Sequence, residues 1–352
     1  MTEVVRIDPV RPNPADMARA AACLRRGGLV AFPTETVYGL GAHALDRAAV
    51  RRLFEAKGRP ASDPLIVHVA TMDQLAGLTT TVPDVARTLA QQFWPGPLTL
   101  VLRRALSVPP EVTAGLDTVA VRVPAHPVAR ALLEAAGIPV AAPSANVFSR
   151  PSPTRASHVL DDLDGRIDMV LDGGPTPVGV ESTVLDLTLD PPVVLRPGAV
   201  SVEALRAVVP AVQLRAARPH EGEEAMASPG LLTRHYAPRT PMTLYQGERA
   251  SVQRTILHSA HEALTAGRRV GVLATSEQAA ALRSLPILIA DLGSEHDVTQ
   301  VAGRLYAALR ELDAAELDVI LAHDLPQAAG LWCALRDRLH RAAARVIQAS
   351  QP

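Results

Sequence analysis

The residues of this chain that could do chemistry stand in short polar stretches at the ends of predicted strands. The first stretch, FPTETVYGLG at residues 32–41, places three hydroxyl side chains, a glutamate and two glycines directly after the apolar run GLVA. Such a stretch either forms the wall of a binding site or is a turn whose hydroxyls bond their own backbone. Taken alone, it does not distinguish the two.

Two cations occupy a loop in the stretch KGRPASDPLIVHV at residues 57–69. Lys57 and Arg59 follow a predicted helix and precede a predicted strand, which suits the binding of a polyphosphate or a carboxylate. Alternatively, they only neutralise the carboxyl end of the helix. Lys57 is the single lysine of the chain, against 34 arginines (35 Lys+Arg minus one). This favours a function that needs a compact point charge, with chance survival as the alternative.

A third cation, Arg122, lies inside the apolar strand sequence VAVRVP. Burying an unpaired cation is costly, so Arg122 either faces solvent or meets an anion in a cleft. Arg196 stands before a Pro-Gly pair in VLRPGAV, and Ser182 stands beside a glutamate in GVESTV. Both stretches resemble the first one in type.

The densest polar stretch is VAAPSANVFSRPSPT at residues 140–154. Its hydroxyl and amide groups on a proline-rich loop can wrap a phosphate or a nucleotide, or they can simply satisfy a turn. His68 has no adjacent serine or cysteine nucleophile, and no paired histidines suggest zinc. The pattern therefore favours positioning and charge neutralisation, as in phosphoryl or nucleotidyl transfer, over covalent catalysis.

Composition narrows the class of protein. Most nucleic-acid binders carry basic stripes and aromatic stacking platforms. The net charge of −1 and the aromatic content of 3% argue against a protein of that class. The two cysteines are far apart and suit a reducing compartment. The start shows no signal-peptide pattern, and no apolar run approaches the roughly 18 residues of a membrane helix. The sequence predicts a soluble, cytoplasmic protein without a membrane partner.

Hydrophobic periodicity predicts two α/β domains. The predicted domains are residues 1–217, with a mixed sheet, and residues 242–352, with a smaller Rossmann-like parallel sheet; residues 218–241 form a linker. In the first domain we predict helices at 15–26, 46–56, 128–136 and 202–209, and strands at 29–32, 64–69, 98–102, 119–123, 169–172, 183–187 and 193–195. The stretch GVLATSE of the second domain is too weak a pattern to indicate a nucleotide site.

Seven motifs in one order resemble the YrdC-like threonylcarbamoyl-AMP synthases. They are FPTETVYGLG, KGRPASDPLIVHV, FWPGPLTLVL, VAVRVP, APSAN with RPSPT, GVESTV and LRPGA. The linker motif SPGLLTRHYAP and the second domain match the long form of that family, so the resemblance covers nearly the whole chain. It implies a YrdC-like mixed twisted sheet with helices, followed by the Rossmann-like C-terminal domain.

The resemblance also implies an activity, that of a nucleotidyltransferase. L-threonine, bicarbonate and ATP, with Mg²⁺, would give threonylcarbamoyl-AMP, pyrophosphate and water. The product would pass to the tRNA threonylcarbamoyl-transferase machinery that makes threonylcarbamoyladenosine, with at most a weak contact to RNA. The alternative hypothesis is an RNA-binding or regulatory protein that retains the fold. A third hypothesis is carbamoyl-adenylate chemistry on another acceptor, but the segments that accompany this chemistry in related proteins are absent from the sequence.

By matched position, the resemblance assigns residues to both substrates. Threonine would be held by Thr36, His68, Arg122, the backbone of Ala142 and Ser182. ATP would be held by Arg59, Asp63, Thr118, Ser144, Ser152, Arg196 and the linker residue Tyr236, which would act as a lid. Lys57 and Arg59 would be the catalytic cations.

Three positions depart from the family pattern. Asp63 stands where asparagine is usual, and a carboxylate beside a triphosphate is repulsive unless a metal intervenes. Its presence reflects either general depletion of asparagine or closer metal coordination. Arg150 replaces a small residue, and Leu231 with Thr233 alters the linker, which leaves the details of the lid open.

Overall fold

Two units make up the chain in a computed structural model that describes residues 1–215, 226, 228–230, 232, 234–326 and 329–349. The first unit comprises residues 1–148 and 152–231, and the second comprises residues 149–151 and 232–352. The predicted boundaries at residues 217 and 242 stay predictions. The altered linker positions Leu231 and Thr233 lie outside the described residues.

The first unit alternates helices and strands, as the periodicity predicts. Its elements are β1 (Glu3–Arg6), α1 (Pro14–Arg25), β2 (Val30–Pro33), β3 (Tyr38–His43), α2 (Arg47–Lys57), β4 (Ile66–His68), a 3₁₀ helix (Met72–Gly77), α3 (Asp84–Phe93), β5 (Leu98–Arg103), β6 (Thr118–Arg122), α4 (Pro127–Ala136), β7 (Val140–Ala141), α5 (Ala156–Leu163), β8 (Met169–Asp172), β9 (Thr183–Asp186), β10 (Val193–Arg196), α6 (Val202–Val208) and β11 (Gln213–Leu214).

These strands form one mixed sheet in the order β1-β8-β2-β3-β7-β4-β6-β5-β9-β10-β11. The pairs β2–β3, β3–β7, β4–β7, β5–β6 and β9–β10 are antiparallel, and the neighbours β4–β6 and β5–β9 are parallel. A largely aliphatic core lies against the sheet, as the low aromatic content indicates. The predicted α/β class with a mixed sheet is confirmed.

The stretch 32–41 is a hairpin rather than the polar end of one strand. Phe32 and Pro33 complete β2, residues 34–37 form the turn, and β3 runs antiparallel back from Tyr38. A Cβ on Gly41 would lie 2.9 Å from both Phe32 and Val140, so glycine is required where β3 passes between its neighbours. Strand β3 was absent from the sequence prediction because its glycines weaken the strand pattern.

Capping fixes the end of α2 and the loop after it, and the sequence interpretation that put both cations in the loop is wrong for Lys57, which is the last residue of the helix. Asp46 accepts hydrogen bonds from the backbone N–H groups of Ala48 and Ala49 and so begins α2. The helix ends at Gly58, whose φ of 62° is the left-handed conformation of a C-cap. Lys57 therefore closes the last turn and Arg59 begins the loop beyond it.

The second unit contains a parallel sheet with helices. Its elements are β12 (Met242–Gln246), α7 (Arg249–Thr265), β13 (Val270–Ala274), α8 (Ser276–Ala279), a 3₁₀ helix (Ala280–Leu282), β14 (Leu288–Asp291), α9 (Val298–Ala314), β15 (Val319–His323), α10 (Leu331–Ala342) and β16 (Arg345–Gln348). The strand order is β14-β13-β15-β12-β16, and every pair is parallel. The predicted Rossmann-like outline is confirmed. Within the described part of the chain, the helices all fall short of the length and apolar character that crossing a membrane requires.

The backbone packs closely around Gly198 of the LRPGA motif, and this contact yields a prediction. A Cβ there would lie 2.3 Å from the backbone nitrogen of Thr183 and 2.4 Å from the carbonyl carbon of Ser182. Because backbone cannot yield as a flexible side chain does, Gly198→Ala should lower the free energy of unfolding of the first unit by about 2–3 kcal/mol. Urea unfolding, followed by the fluorescence of Trp94 in a Trp332→Phe background, measures the change.

The matched control is Gly77→Ala. The space around Gly77 is open where a Cβ would lie, and its backbone is not left-handed. Its replacement should leave stability unchanged or raise it by about 0.5 kcal/mol. An unfolding curve of Gly198→Ala that overlays the control would show that the backbone tolerates the added carbon.

Candidate active site

Arg122, at the end of β6, is the centre of one group of buried polar side chains. Its Nη2 lies 2.6 Å from the carboxylate Oε1 of Glu35, and only 4% and 9% of the two side chains are exposed. Its Nη1 donates to the hydroxyl of Thr36 at 3.0 Å, and its Nε donates to the carbonyl of Gly96 at 3.2 Å. The anion expected for a buried Arg122 is therefore Glu35, from the turn of the first hairpin.

The turn that carries Thr36 is fixed by its own hydroxyls. The hydroxyls of Thr34 and Thr36 lie 2.8 Å apart, and that of Thr34 donates to the carbonyl of Val37. The second oxygen of Glu35 accepts from the backbone N–H of Ala125. The stretch thus combines the two interpretations left open by the sequence: its hydroxyls satisfy a turn, and the turn presents Thr36 to Arg122.

His68 ends β4, and its backbone pairs with that of Arg122 in the parallel register of β4 and β6. The side chain is buried, and its ring meets the ring of Phe32 edge to face. Burial, together with the nearby positive charge of Arg122, lowers the pKa of His68 to about 3. His68 is therefore neutral at physiological pH, and with this pKa it is a weak base.

Ser182 and Arg196 form a second polar group at the start of β9 and the end of β10. The hydroxyl of Ser182 lies 2.8 Å from that of Thr99 in β5. Arg196 donates to the carbonyl of Ser182 from both Nε and Nη2. The antiparallel pairing of β9 and β10 brings these two motifs together.

Part of the predicted linker contacts the polar group of Ser182 and Arg196. Nη1 of Arg196 donates to the carbonyl of Pro229 at 3.3 Å, and the backbone N–H of Met226 donates to the carbonyl of Ser62. The neighbouring hydroxyl of Ser228 is fully buried and makes no hydrogen bond to the described residues. The linker residues 226 and 228–230 therefore pack on the first unit.

Lys57 holds the proline-rich loop. Its side chain is almost entirely buried, and its Nζ donates to the carbonyls of Ser144 at 2.6 Å and Asn146 at 2.5 Å. The backbone N–H of Phe148 in turn donates to the carbonyl of Lys57. The single lysine thus sets the conformation of the loop whose hydroxyls and amides were predicted to contact ATP.

Arg59 and Asp63 form a buried ion pair, with Nη2 2.9 Å from Oδ1. Arg59 also donates to the carbonyls of Asp63 and Pro64. Burial raises the pKa of Asp63, whereas the positive charges of Arg59, Lys57 and Arg196 act in the opposite direction. The three cations predicted to face phosphates therefore all lie within electrostatic reach of one carboxylate.

The remaining predicted residues of the first unit lie on strands and loops of the same region. Ser152 donates to Oε1 of Glu181 at 2.6 Å, which joins the RPSPT and GVESTV motifs. Ala142 follows β7 and donates its N–H to the carbonyl of Ile66, the first residue of β4. Thr118 begins β6 and shares the alternating side of that strand with Arg122, four residues away.

Tyr236 belongs to the second unit. It is buried, its ring lies 5.7 Å from that of Tyr306, and the guanidinium of Arg338 lies 5.2 Å from its centre. Its φ of 60° is unusual for a residue other than glycine and marks a constrained backbone. Its predicted role as a lid over ATP stays a prediction, as do the individual roles of the other site residues.

Sequence reasoning missed several of the groups described above. Thr99 sits in a plain strand pattern, and Ser228 in a linker, so neither carries a local signal. Glu181 was noted only as a neighbour of Ser182. Alternation along β5 puts Thr99 on the face opposite Leu98 and Leu100, and its hydroxyl is interior because both faces of this strand are buried.

Comparisons with known proteins match both units. A family model described as "Telomere recombination", covering Sua5, YciO and YrdC proteins, matches residues 22–198. A model described as "Threonylcarbamoyl-AMP synthase, C-terminal domain" matches residues 200–344.

Individual relatives agree with the two family models. The threonylcarbamoyl-AMP synthase of Bacillus subtilis is 49% identical over 273 residues, which is 77% of this chain and 78% of that protein. The enzyme of Pyrococcus abyssi is 50% identical over 254 residues, 72% of this chain and 75% of its own. Among solved structures, P. abyssi Sua5 complexed with L-threonine has a TM-score of 0.92 at 43% identity and covers 99% of this chain and 100% of its own.

The low pKa of His68 yields a prediction about stability and pH. Between pH 6.5 and about 3, the unfolded state binds a proton on this histidine that the folded state does not, so stability falls as the pH drops below 6.5. Lowering the pH from 7 to 5 should cost wild-type protein about 2 kcal/mol more than His68→Gln, which cannot bind the proton. Urea unfolding at both pH values gives the difference.

The matched control is His258→Gln, on the exposed surface of α7. It should lose the same stability as the wild type between the two pH values. Equal losses in His68→Gln and wild type would mean that His68 takes up its proton without unfolding.

Proposed function

This chain belongs to the threonylcarbamoyl-AMP synthase family, and on that premise we propose how its residues form threonylcarbamoyl-AMP from L-threonine, bicarbonate and ATP. The enzyme is a transferase of the nucleotidyl type and acts in tRNA modification. The observation that carries the proposal is the buried guanidinium of Arg122 beside the hydroxyl of Thr36.

The threonine site is proposed around Arg122. A planar guanidinium can bind a carboxylate through two hydrogen bonds, and a buried one does so strongly. Glu35 balances part of the charge and holds the side chain in place. Thr36 and Ser182 offer hydroxyls, and neutral His68 and the backbone of Ala142 complete the proposed wall. A weakly basic His68 suits positioning of the substrate rather than abstraction of its proton.

The ATP site is proposed around the cations near Asp63. Lys57, Arg59 and Arg196 can offset the charge of the triphosphate and of the leaving pyrophosphate. Thr118, Ser144, Ser152 and Tyr236 are proposed as further contacts. Each of these assignments follows from the matched motifs, and the convergence of the cations on Asp63 supports it.

Mg²⁺ is proposed to enter with ATP. The described residues contain no cluster of three histidine, cysteine or acidic side chains that could hold a metal alone. This fits Mg²⁺, which usually binds through one or two carboxylates together with substrate phosphates. We propose that Asp63, which is fully buried and paired with Arg59, would supply such a carboxylate once ATP is bound, and the ion would supply charge neutralisation that offsets the repulsion between Asp63 and the triphosphate.

The reaction then needs two bonds to form. The amine of threonine attacks the carbon of bicarbonate, and water is lost to give a carbamate. A carbamate oxygen attacks the α-phosphorus of ATP, and the bond to the β-phosphate oxygen breaks to release pyrophosphate. Arg122 would hold the amino acid during both steps, while the cations near Asp63 stabilise the negative charge that builds on the phosphates. We further propose a cytoplasmic enzyme whose product passes to the tRNA threonylcarbamoyl-transferase machinery.

The test is pyrophosphate release from ATP in degassed buffer. Release should require both threonine and bicarbonate, because the carbamate forms only when both are present. Omitting either one is the control. Equal release without threonine would overturn the proposal, and salt-sensitive RNA binding without any nucleotide turnover would favour a regulatory RNA-binding protein instead.

The proposed role of Arg122 predicts a selective effect on threonine. Arg122→Lys keeps the positive charge opposite Glu35 but loses the fork that pairs with a carboxylate. The loss of a charge-assisted hydrogen bond, about 1.5–3 kcal/mol, should raise the KM for threonine about tenfold or more. The KM for ATP should stay within about twofold. Steady-state pyrophosphate release measures both constants.

Arg130→Lys on the surface of α4 is the matched control and should change neither constant. A parallel rise in the KM of ATP and threonine in Arg122→Lys would show that the substitution distorts the whole site, contrary to the assignment.

A further inference from the structure

A cavity of about 550 Å³ opens in the second unit, at the carboxyl ends of β12 and β15. Its size lies within the range of small-molecule sites. The polar residues that line it include Gln246, Arg249, Gln278, Glu295, His323 and Asp324. None of them has a place in the proposed synthase reaction, so the cavity has no assigned role.

The topology marks this position as a binding crevice. In the sheet order β14-β13-β15-β12-β16, the chain leaves β12 toward β13 and leaves β15 toward β16, which lies in the opposite direction. Because parallel crossovers are right-handed, α7 and α10 cover opposite faces of the sheet. The loops after β12 and β15 therefore separate, and ligands of open α/β sheets bind in the crevice between such loops.

A buried polar atom on the wall lacks a partner. His323 is 3% exposed, and its Nε2 makes no hydrogen bond to the residues that the structure describes. Burial and the charge of Arg249 lower the pKa of His323 to about 4, so the ring is neutral at pH 7. An unsatisfied buried nitrogen is costly, and a ligand in the cavity could satisfy it.

Each charged side chain on the wall of the cavity is paired with a group of opposite charge. Arg249 lies 2.5 Å from Glu295. Asp324 lies 2.6 Å from Arg336 and 3.1 Å from the ring nitrogen of His340. Arg336 and His340 are not among the residues that line the cavity, so the wall itself, within the described residues, presents one cation, Arg249, and two carboxylates, Glu295 and Asp324. It can offer an opposite charge to each end of a ligand that carries both charges and has no net charge.

Other ligand classes fit less well. The carboxylate of Glu248 already accepts from the first-turn N–H groups of Ala250 and Ser251, where a dinucleotide fold binds phosphate. The described residues offer no metal cluster. Tyr245 is buried and its hydroxyl donates to Ser259, so it does not provide an open stacking platform for a base.

We propose that this cavity binds a free L-α-amino acid, with its carboxylate on Arg249, its ammonium group toward the carboxylates of Glu295 and Asp324, and a polar group on His323. The amide side chains of Gln246 and Gln278 suit a polar amino-acid side chain. The cavity shares no residue with the proposed threonine site, and the inference does not rest on the proposed function.

Calorimetric titration of the full-length protein tests the proposal. Each of the twenty proteinogenic amino acids is titrated singly into wild type, Arg249→Gln, His323→Leu and Arg122→Lys. At least one amino acid should bind wild type and Arg122→Lys alike, and Arg249→Gln should weaken that binding at least roughly tenfold through loss of a charged hydrogen bond. His323→Leu should weaken the same binding.

The matched control is Arg254→Gln, an exposed arginine on the same helix α7, which should bind as the wild type does. Binding that is lost in Arg122→Lys and kept in Arg249→Gln reports the threonine site of the proposed function alone. The proposal is overturned if no amino acid gives a signal sensitive to Arg249→Gln, if Arg254→Gln abolishes the signal equally, or if ATP or inorganic phosphate gives that signal in place of an amino acid.

Discussion

Two arginines of the first unit, Arg122 and Arg59, are buried against the carboxylates of Glu35 and Asp63. Removing a charge from water costs several kcal/mol, and a buried pair persists only when its geometry and remaining hydrogen bonds are good. The hairpin turn, the loop after α2 and the ends of β4 and β6 are all placed so that these pairs can form. The polar strand ends of this unit are thus organised by the need to compensate buried charge.

The same ion pairs bear on the proposed binding of charged substrates. In each pair a carboxylate stands where a substrate anion could compete for the same cation. Lys57 contributes differently, because its ammonium group donates to two loop carbonyls. Lys57 thereby supports the proline-rich loop, and its proposed catalytic role would come in addition to this structural one. A compact donor with three hydrogens suits this position better than the planar fork of arginine.

The second unit also pairs its charges, but around an open cavity where the side chain of Arg249 is 55% exposed. Its buried His323 and its paired Arg249 lie on the wall of a crevice that the strand order creates. The fold alone determines where that crevice lies, while the side chains determine which ligand suits it. The two units therefore place distinct sets of polar groups at strand ends, one in a mixed sheet and one in a parallel sheet.

The sequence by itself determined the α/β class, the mixed and parallel sheets, most helices and the stretches that carry the polar residues, because hydrophobic period, capping residues and chain order are local properties. It also singled out Lys57, Arg122 and Arg196 as unusual. Only the tertiary structure decided the partners: Glu35 for Arg122, Thr99 for Ser182, and the carbonyls of residues 144 and 146 for Lys57. These contacts join residues up to 89 positions apart. Their formation depends on sheet order and register, which a single sequence does not encode in any local pattern.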